Sequence, residues 1–151
     1  MVGSDCIFCS IVAGKIPSYK IYEDENHIAF LDIFPNIRGQ TLVVSKKHFS
    51  SNAFDLDPEA LADFIKSTQK VAKLLEAKLK VGRVHLVLEG TGINHLHAKL
   101  YPAIGIIGKE FNEHVANEKR HFDHYEGYIT TLMGPKADDK ELAELQKLLS
   151  S

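Results

Sequence analysis

An amphipathic segment between Asp57 and Gly82 sets the architecture that we expect of this chain. Its start carries helix signals, because Asp57 can cap the first turn, Pro58 suits the first helical position and Glu59 complements the helix dipole. Mostly apolar residues then recur at helical spacing: Leu61, Phe64, Ile65, Thr68, Val71, Ala72, Leu75 and Leu79. The pattern predicts one long helix that ends at Gly82 and lays this stripe on a β-sheet.

Short segments rich in apolar residues predict the strands of that sheet. The predicted strands cover residues 19–23, 27–33, 41–45, 83–88 and a last strand that ends at Pro102. The glycine-rich connection at 89–92 favours an antiparallel hairpin between the last two strands. A short helix carrying Cys6 and Cys9, and a C-terminal helix from Asp138, complete an α+β fold.

Length and charge exclude several classes of function. The 151 residues are enough for one domain, which would bury roughly 70% of the surface that the unfolded chain exposes. A net charge of −2, from 18 basic and 20 acidic residues, provides no large basic face, so we expect no nucleic-acid partner. The sequence has no long apolar run and no basic leader at residues 1–5, which indicates no membrane contact and a cytoplasmic location.

The stretch from Gly90 to Pro102 holds the candidate chemistry. His95, His97 and Lys99 occupy every second position, and alternate residues of a strand point to the same face. The glycine turn before them can expose backbone N–H groups to an anion, because glycine tolerates positive φ angles. This pattern indicates a phosphate site, although an ordinary half-exposed strand with two histidines and a lysine would show the same spacing.

The two cysteines of the chain, Cys6 and Cys9, form a second candidate site. A spacing of three places both sulfur atoms on the same side of a helical turn. In a cytosolic chain such a pair indicates metal binding or redox chemistry more than a disulfide framework. Two reduced thiols packed as small hydrophobic groups are the simpler alternative.

The segment from His95 to Pro102 resembles the signature of the histidine triad (HIT) family, in which three histidines alternate with apolar residues and a proline follows. Two further segments match that family in the same order, at residues 6–17 and 30–48, and the tail at 131–135 is similar to that of bacterial members. The resemblance implies a HIT-like fold, with an antiparallel β-sheet, one long helix, a short N-terminal helix and a C-terminal helix. It also implies a single HIT domain over 1–151, with a core at 5–102 and an extension at 103–151.

The same resemblance implies a chemical role for each matching residue. His97 would attack the α-phosphorus of a nucleotide, and water would then hydrolyse the nucleotidyl-histidine intermediate. Phosphate contacts would come from Gly90, Thr91, Gly92 and Lys99. Asp32 would accept hydrogen bonds from the ribose, while Phe30 and Ile33 would enclose the base. The implied substrate is a purine nucleoside monophosphate derivative or a dinucleoside polyphosphate.

Zinc and a second subunit are implied in the same way. The zinc-carrying relatives would place a structural Zn²⁺ between Cys6, Cys9, His48 and His95, a sulfur and nitrogen set that tetrahedral zinc prefers. Such a metal would tie the N-terminal helix to the strand that carries His97. The family also implies a homodimer that uses the long helix and an edge strand.

This sequence departs from the family pattern at the leaving-group side of the site. Lys99 stands where the third histidine belongs, and Gly90, Thr91 and Gly92 replace the usual glutamine and hydroxyl contacts. A lysine balances phosphate charge but donates a proton to a leaving group less readily than an imidazolium does. Two functions therefore stay open: a nucleotide hydrolase or transferase, and a nucleotide-binding protein with weak or no catalysis.

Overall fold

The computed structural model describes residues 6–109 and residue 111. Five strands form its centre: β1 (Lys20–Glu23), β2 (His27–Leu31), β3 (Thr41–Ser45), β4 (Val84–Val87) and β5 (His97–Pro102). Their order across the sheet is β1-β2-β3-β5-β4, and every neighbouring pair is antiparallel. The predicted α+β class with an antiparallel sheet is confirmed.

In the described part of the chain two helices accompany the sheet, α1 (Ile7–Val12) and α2 (Pro58–Leu79), and a 3₁₀ turn covers Ala53–Asp55. Helix α2 begins as predicted, since Asp57 Oδ1 accepts hydrogen bonds from the N–H groups of the second and third helical residues at 3.1 and 3.0 Å. It ends earlier than predicted. Lys80 adopts the left-handed conformation (φ +55°) and closes the helix there, before Gly82 is reached.

The two faces of the sheet carry separate apolar clusters because successive residues of a strand point to opposite sides. On the α2 side, Ala29, Val43 and Leu100 pack with Phe64 and Val71 in the main core. The α1 side has a smaller cluster, made of Phe8, Ile28, Phe30 and Val44. His97 lies opposite Val44 in the pairing of β3 with β5, so its ring belongs to the α1 side.

A polar loop ends β2 two residues before the predicted boundary of this strand. Asp32 Oδ1 accepts a hydrogen bond from Phe34 N at 2.8 Å, and its Oδ2 accepts one from Gln40 Nε2 at 2.6 Å. The amide oxygen of Gln40 in turn accepts from Asn36 N at 2.7 Å. These bonds turn the chain at Asp32 and fix this carboxylate at the end of the sheet.

Contacts divide the chain into the units Met1–Glu110 and Phe111–Ser151. The predicted C-terminal helix from Asp138 and the tail at 131–135 lie outside the described residues, so the single-domain organisation of 1–151 stays a prediction. No helix among the described residues combines the length and the apolarity needed to cross a bilayer.

Candidate functional site

A cleft of about 360 Å³ opens on the α1 side of the sheet. Its walls are mainly apolar, from Phe8, Phe30 and neighbouring residues, and they continue into the exposed side chains of Ile33 and Phe34. Seven of the eight residues predicted to contact or attack a nucleotide border this cleft: Phe30, Asp32, Ile33, Thr91, Gly92, His97 and Lys99. An apolar cleft with a few converging polar groups is the usual form of a small-molecule site.

His97 is buried, with 4% of its surface exposed, and its ring orientation is fixed by the main chain. Its Nδ1 lies 2.7 Å from the carbonyl oxygen of His95, so Nδ1–H donates and Nε2 keeps the lone pair in the neutral ring. Burial lowers the pKa of His97, the bond to His95 opposes that effect, and the charge of Lys99 lowers the pKa further. A neutral imidazole with a free Nε2 is the form that attacks phosphorus.

Asp32 supplies a fixed carboxylate to the cleft. Each of its oxygens accepts one hydrogen bond within the 32–40 loop, from Phe34 N and from Gln40 Nε2. A carboxylate has about four acceptor positions, so both oxygens can accept a further donor. Gln40, which the sequence reading did not single out, orients this group.

Lys99 forms an ion pair that the sequence reading also missed. Its Nζ lies 3.1 Å from Oε2 of Glu89, and the hydroxyl of Thr91 donates to Oε1 of the same carboxylate. The Thr91 bond lowers the pKa of Glu89, desolvation opposes it, and Lys99 lowers it again. The register of β4 against β5 explains this ion pair. Val87 pairs with Lys99, and Glu89 follows Val87 by two residues, so it lies diagonally across from Lys99.

The loop between β4 and β5 has the positive φ angles expected of its glycines, +72° at Gly90 and +89° at Gly92. The two positions differ in their surroundings. A Cβ added to Gly90 would lie 2.6 Å from the carbonyl oxygen of Ser51, whereas a Cβ on Gly92 would meet no atom within 4 Å. Gly90 therefore permits a close backbone approach away from the cleft lining, while Gly92 borders the cleft itself.

Cys6, Cys9, His48 and His95 converge beside the cleft, with one potential ligand atom from each lying within 4.8 Å of the others. The Nδ1 atom of His95 is 3.3 Å from Cys6 Sγ and 3.5 Å from Cys9 Sγ, and His48 Nδ1 is 3.2 Å from Cys9 Sγ. Bond lengths of about 2.3 Å to sulfur and 2.0 Å to nitrogen give a tetrahedral edge of roughly 3.5 Å. The donor set and its spacing fit a structural Zn²⁺.

The surroundings of His95 agree with a ligand role. Its Nε2 lies 2.7 Å from the carbonyl oxygen of Ser45 and donates to it, which leaves the Nδ1 lone pair directed at the two sulfur atoms. Metal-binding histidines commonly donate their other N–H in this way. Strand β5 begins at His97, so His95 lies before the strand, where its N–H donates to Ile93 O. The rings of His95 and His97 both contact Phe8, on the α1 side of the sheet.

Comparison with known proteins agrees with this geometry. The sequence profile of the HIT domain matches residues 13–103. An uncharacterized HIT-like protein from Methanocaldococcus jannaschii is 42% identical over 103 residues, which cover 64% of this chain and 78% of that protein. The adenosine 5′-monophosphoramidase of Schizosaccharomyces pombe is 34% identical over 103 residues, covering 64% and 73%.

A solved structure supports the same assignment. A zinc-bound histidine triad family protein from Mycobacterium smegmatis has a TM-score of 0.61 and 33% identity, covering 65% of this chain and 74% of that one. The family profile spans more than half of the sequence, and the fold of the described residues agrees with it. The chain therefore belongs to the histidine triad family.

Proposed function

We propose that this protein is a nucleotide hydrolase or transferase that cleaves a phosphoanhydride, phosphoester or phosphoramidate at the α-phosphate of a nucleotide. One observation carries the proposal: the ring of His97 borders the apolar cleft, with its Nδ1 held by the His95 carbonyl and its Nε2 without a hydrogen-bond partner among the described residues. The relation to an adenosine 5′-monophosphoramidase supports the reaction class.

In the proposed reaction, His97 Nε2 forms a bond to the α-phosphorus while the bond from phosphorus to the leaving group breaks. The leaving group departs with the bonding electron pair and takes up a proton from the solvent. Water then attacks the phosphorus and gives up a proton to the solvent, the bond from phosphorus to Nε2 breaks, and the imidazole returns to its neutral form as the nucleoside monophosphate leaves. The protein contributes mainly alignment of the nucleophile and stabilisation of charge on the phosphate oxygens.

The cleft residues have complementary tasks in this proposal. Asp32 binds the ribose hydroxyls, and Phe30 and Ile33 enclose a purine base. Exposed apolar area at Ile33 (67% of its surface) agrees with that task, because a bound base would cover it. At the phosphate, Gly92 offers backbone while Thr91 and Lys99 supply polar groups; Gly90 supports the loop from outside the cleft lining.

His97→Ala tests the proposal directly. The variant should keep the fold but lose release of nucleoside monophosphate from an adenosine phosphoramidate, a fall of at least 10³-fold in kcat/KM. His85→Ala is the matched control, since His85 is exposed on β4 away from the cleft lining. When the wild type reacts with labelled substrate and is quenched rapidly without acid, the label should be found on His97. Unchanged turnover in His97→Ala would remove this residue from the mechanism.

A second candidate is a nucleotide-binding protein that catalyses weakly or not at all. The specific observation in its favour is the pairing of Lys99 with Glu89, because a lysine held by a carboxylate is a poor proton donor to a leaving group. Binding of nucleoside monophosphate with no detectable cleavage of any of the three bond types would support this candidate. Cleavage that depends on His97 would reject it.

For zinc, we propose that Cys6, Cys9, His48 and His95 hold one structural Zn²⁺. Bound zinc would supply a four-ligand crosslink between the start of α1, the segment after β3 and the turn before β5. Desolvation by burial raises the pKa of Cys9, and the neighbouring Cys6 raises it again. A dication between the sulfur atoms would counter that effect. Thiolate ligands also favour the cytoplasm as the compartment, since it keeps cysteines reduced.

We further propose a homodimer formed through the edge strand β4 and helix α2. A groove between them is lined by Ile65, Ala72, Val84 and Leu86, and Leu86 exposes 44% of its surface. Burial of such an apolar face against a second copy would be favourable. Sedimentation analysis should show a dimer for the wild type and a monomer for Leu86→Lys.

A further inference from the structure

We propose that Glu89 selects substrates by charge: its carboxylate, paired with Lys99, disfavours leaving groups that bring additional negative charge. This inference rests on the proposed nucleotide chemistry and adds to it a residue that discriminates between substrate classes. A phosphoramidate or phosphoester with an uncharged leaving group carries one charge at the reacting phosphorus. A dinucleoside polyphosphate brings further charges with its leaving group.

Glu89 is not among the cleft-lining residues, but its contacts hold its charge beside Lys99, which is one of them. Thr91 donates to one carboxylate oxygen and Lys99 to the other, so both sides of the group are engaged. Only 16% of the Glu89 side chain and 26% of the Lys99 side chain are exposed. Because little water surrounds the pair, its charges act on the cleft with less screening than surface charges would.

The charge balance of the cleft follows from this pair. Lys99 is the sole lysine or arginine among the cleft-lining side chains in the described part of the chain. Glu89 offsets that cation, and Asp32 adds a negative charge to the lining. The site therefore offers no surplus positive charge to a polyanion.

The consequence is a preference that depends on the leaving group. A lysine without its partner would attract each added phosphate, whereas the pair of Lys99 and Glu89 carries no net charge and offers the leaving group no such attraction. At separations of several ångströms, one uncompensated charge changes binding on the order of tenfold in a partly screened site. Glu89 then sets substrate choice without touching the nucleophile.

The test compares two substrates on the full-length protein: an adenosine N-alkylphosphoramidate, whose leaving amine carries no negative charge, and diadenosine triphosphate. We expect Glu89→Gln to raise the ratio of kcat/KM for diadenosine triphosphate to that for the phosphoramidate by about tenfold. Glu23→Gln is the matched control. It also removes one negative charge, but from an exposed carboxylate that pairs with Lys20 and Lys46. A ratio that stays within twofold in Glu89→Gln, or that rises equally in Glu23→Gln, would overturn the proposal.

A binding measurement separates this inference from the reaction itself. Affinities for AMP, ADP and ATP, measured by titration calorimetry, should fall or stay level with added phosphate in the wild type and rise in Glu89→Gln. Absence of turnover together with this change would reject the proposed enzyme while supporting charge selection by Glu89. Turnover that requires His97, with no change in either the ratio or the affinities, would support the enzyme and reject charge selection.

Discussion

Asp24 should make the stability of this protein strongly dependent on acidity. Its Oδ1 accepts from the N–H groups of Asn26 and His27 at 3.0 and 2.8 Å, and its Oδ2 accepts from Tyr22 and Ser67 at 2.9 and 2.6 Å. The Ser67 contact ties the β1–β2 turn to α2. Desolvation raises the pKa of Asp24, but the bonds from Ser67, Tyr22 and the two backbone groups outweigh it and hold the pKa at about 2.

The magnitude follows from the difference between the folded and unfolded chain. The unfolded value of 3.8 and a folded value of about 2 differ by nearly two pKa units, which corresponds to roughly 2 kcal/mol. Because the folded pKa is the lower one, this contribution is complete above pH 5 and is lost as the pH falls through 2. About half of it should remain at pH 3.

The assay is urea unfolding of the wild type and Asp24→Asn between pH 7 and pH 3. The difference in unfolding free energy between these two proteins should shrink by about 1 kcal/mol over this range. Any effect of acid on the proposed zinc site cancels in this difference, because both proteins have the same four ligand residues. Glu25→Gln, which alters an exposed carboxylate in the same turn, should stay within about 0.5 kcal/mol of the wild type. A gap between wild type and Asp24→Asn that does not change with pH would refute the reasoning.

Three further predictions concern the loop, the metal and the core. Gly90→Ala should lower the free energy of unfolding by about 2 kcal/mol more than Gly92→Ala does, since only the Cβ at position 90 would meet a backbone oxygen. Urea unfolding measures both values, and equal losses would contradict this reason. Purified protein should contain one zinc per chain by elemental analysis. Cys9→Ser or chelation should lower the melting temperature, and the loss in unfolding free energy should be about 4 kcal/mol if free zinc is present at a thousand times its Kd. An unaffected melting temperature would exclude a structural metal. Phe64→Ala should cost about 4 kcal/mol, because this ring is fully buried, whereas Phe54→Ala, at a ring that is 90% exposed, should change stability little.

Elements with strong local signals were predictable from the sequence. The start of α2 at Pro58 follows from the capping carboxylate of Asp57, which needs only neighbouring atoms to act. The end of the helix was not predictable, since Lys80 takes a left-handed conformation that glycine would normally supply, and Gly82 offered the stronger signal. The length of β2 was overestimated because Asp32 accepts hydrogen bonds from Phe34 N and from Gln40, eight positions away, and these bonds end the strand.

The residues of the candidate site also differ in how far the sequence could predict them. The Cys6, Cys9, His48 and His95 cluster was found through the family resemblance, because spacing alone could not join residues separated by more than 80 positions. Glu89 was missed for a different reason. It has no motif of its own, and its importance appears only when the register of β4 against β5 brings its carboxylate to Lys99.

His95 contributes to two neighbouring sites with different parts of the same residue: its ring joins the cysteines, and its carbonyl group holds the ring of His97. A carbonyl belongs to every amino acid, so no substitution at position 95 removes that acceptor. A substitution at position 95 would therefore remove one member of the Cys6, Cys9, His48 and His95 cluster but leave the hydrogen bond that sets the tautomer of His97. A related chain could lose the proposed zinc site in this way and still hold the His97 ring in the orientation that the proposed reaction needs.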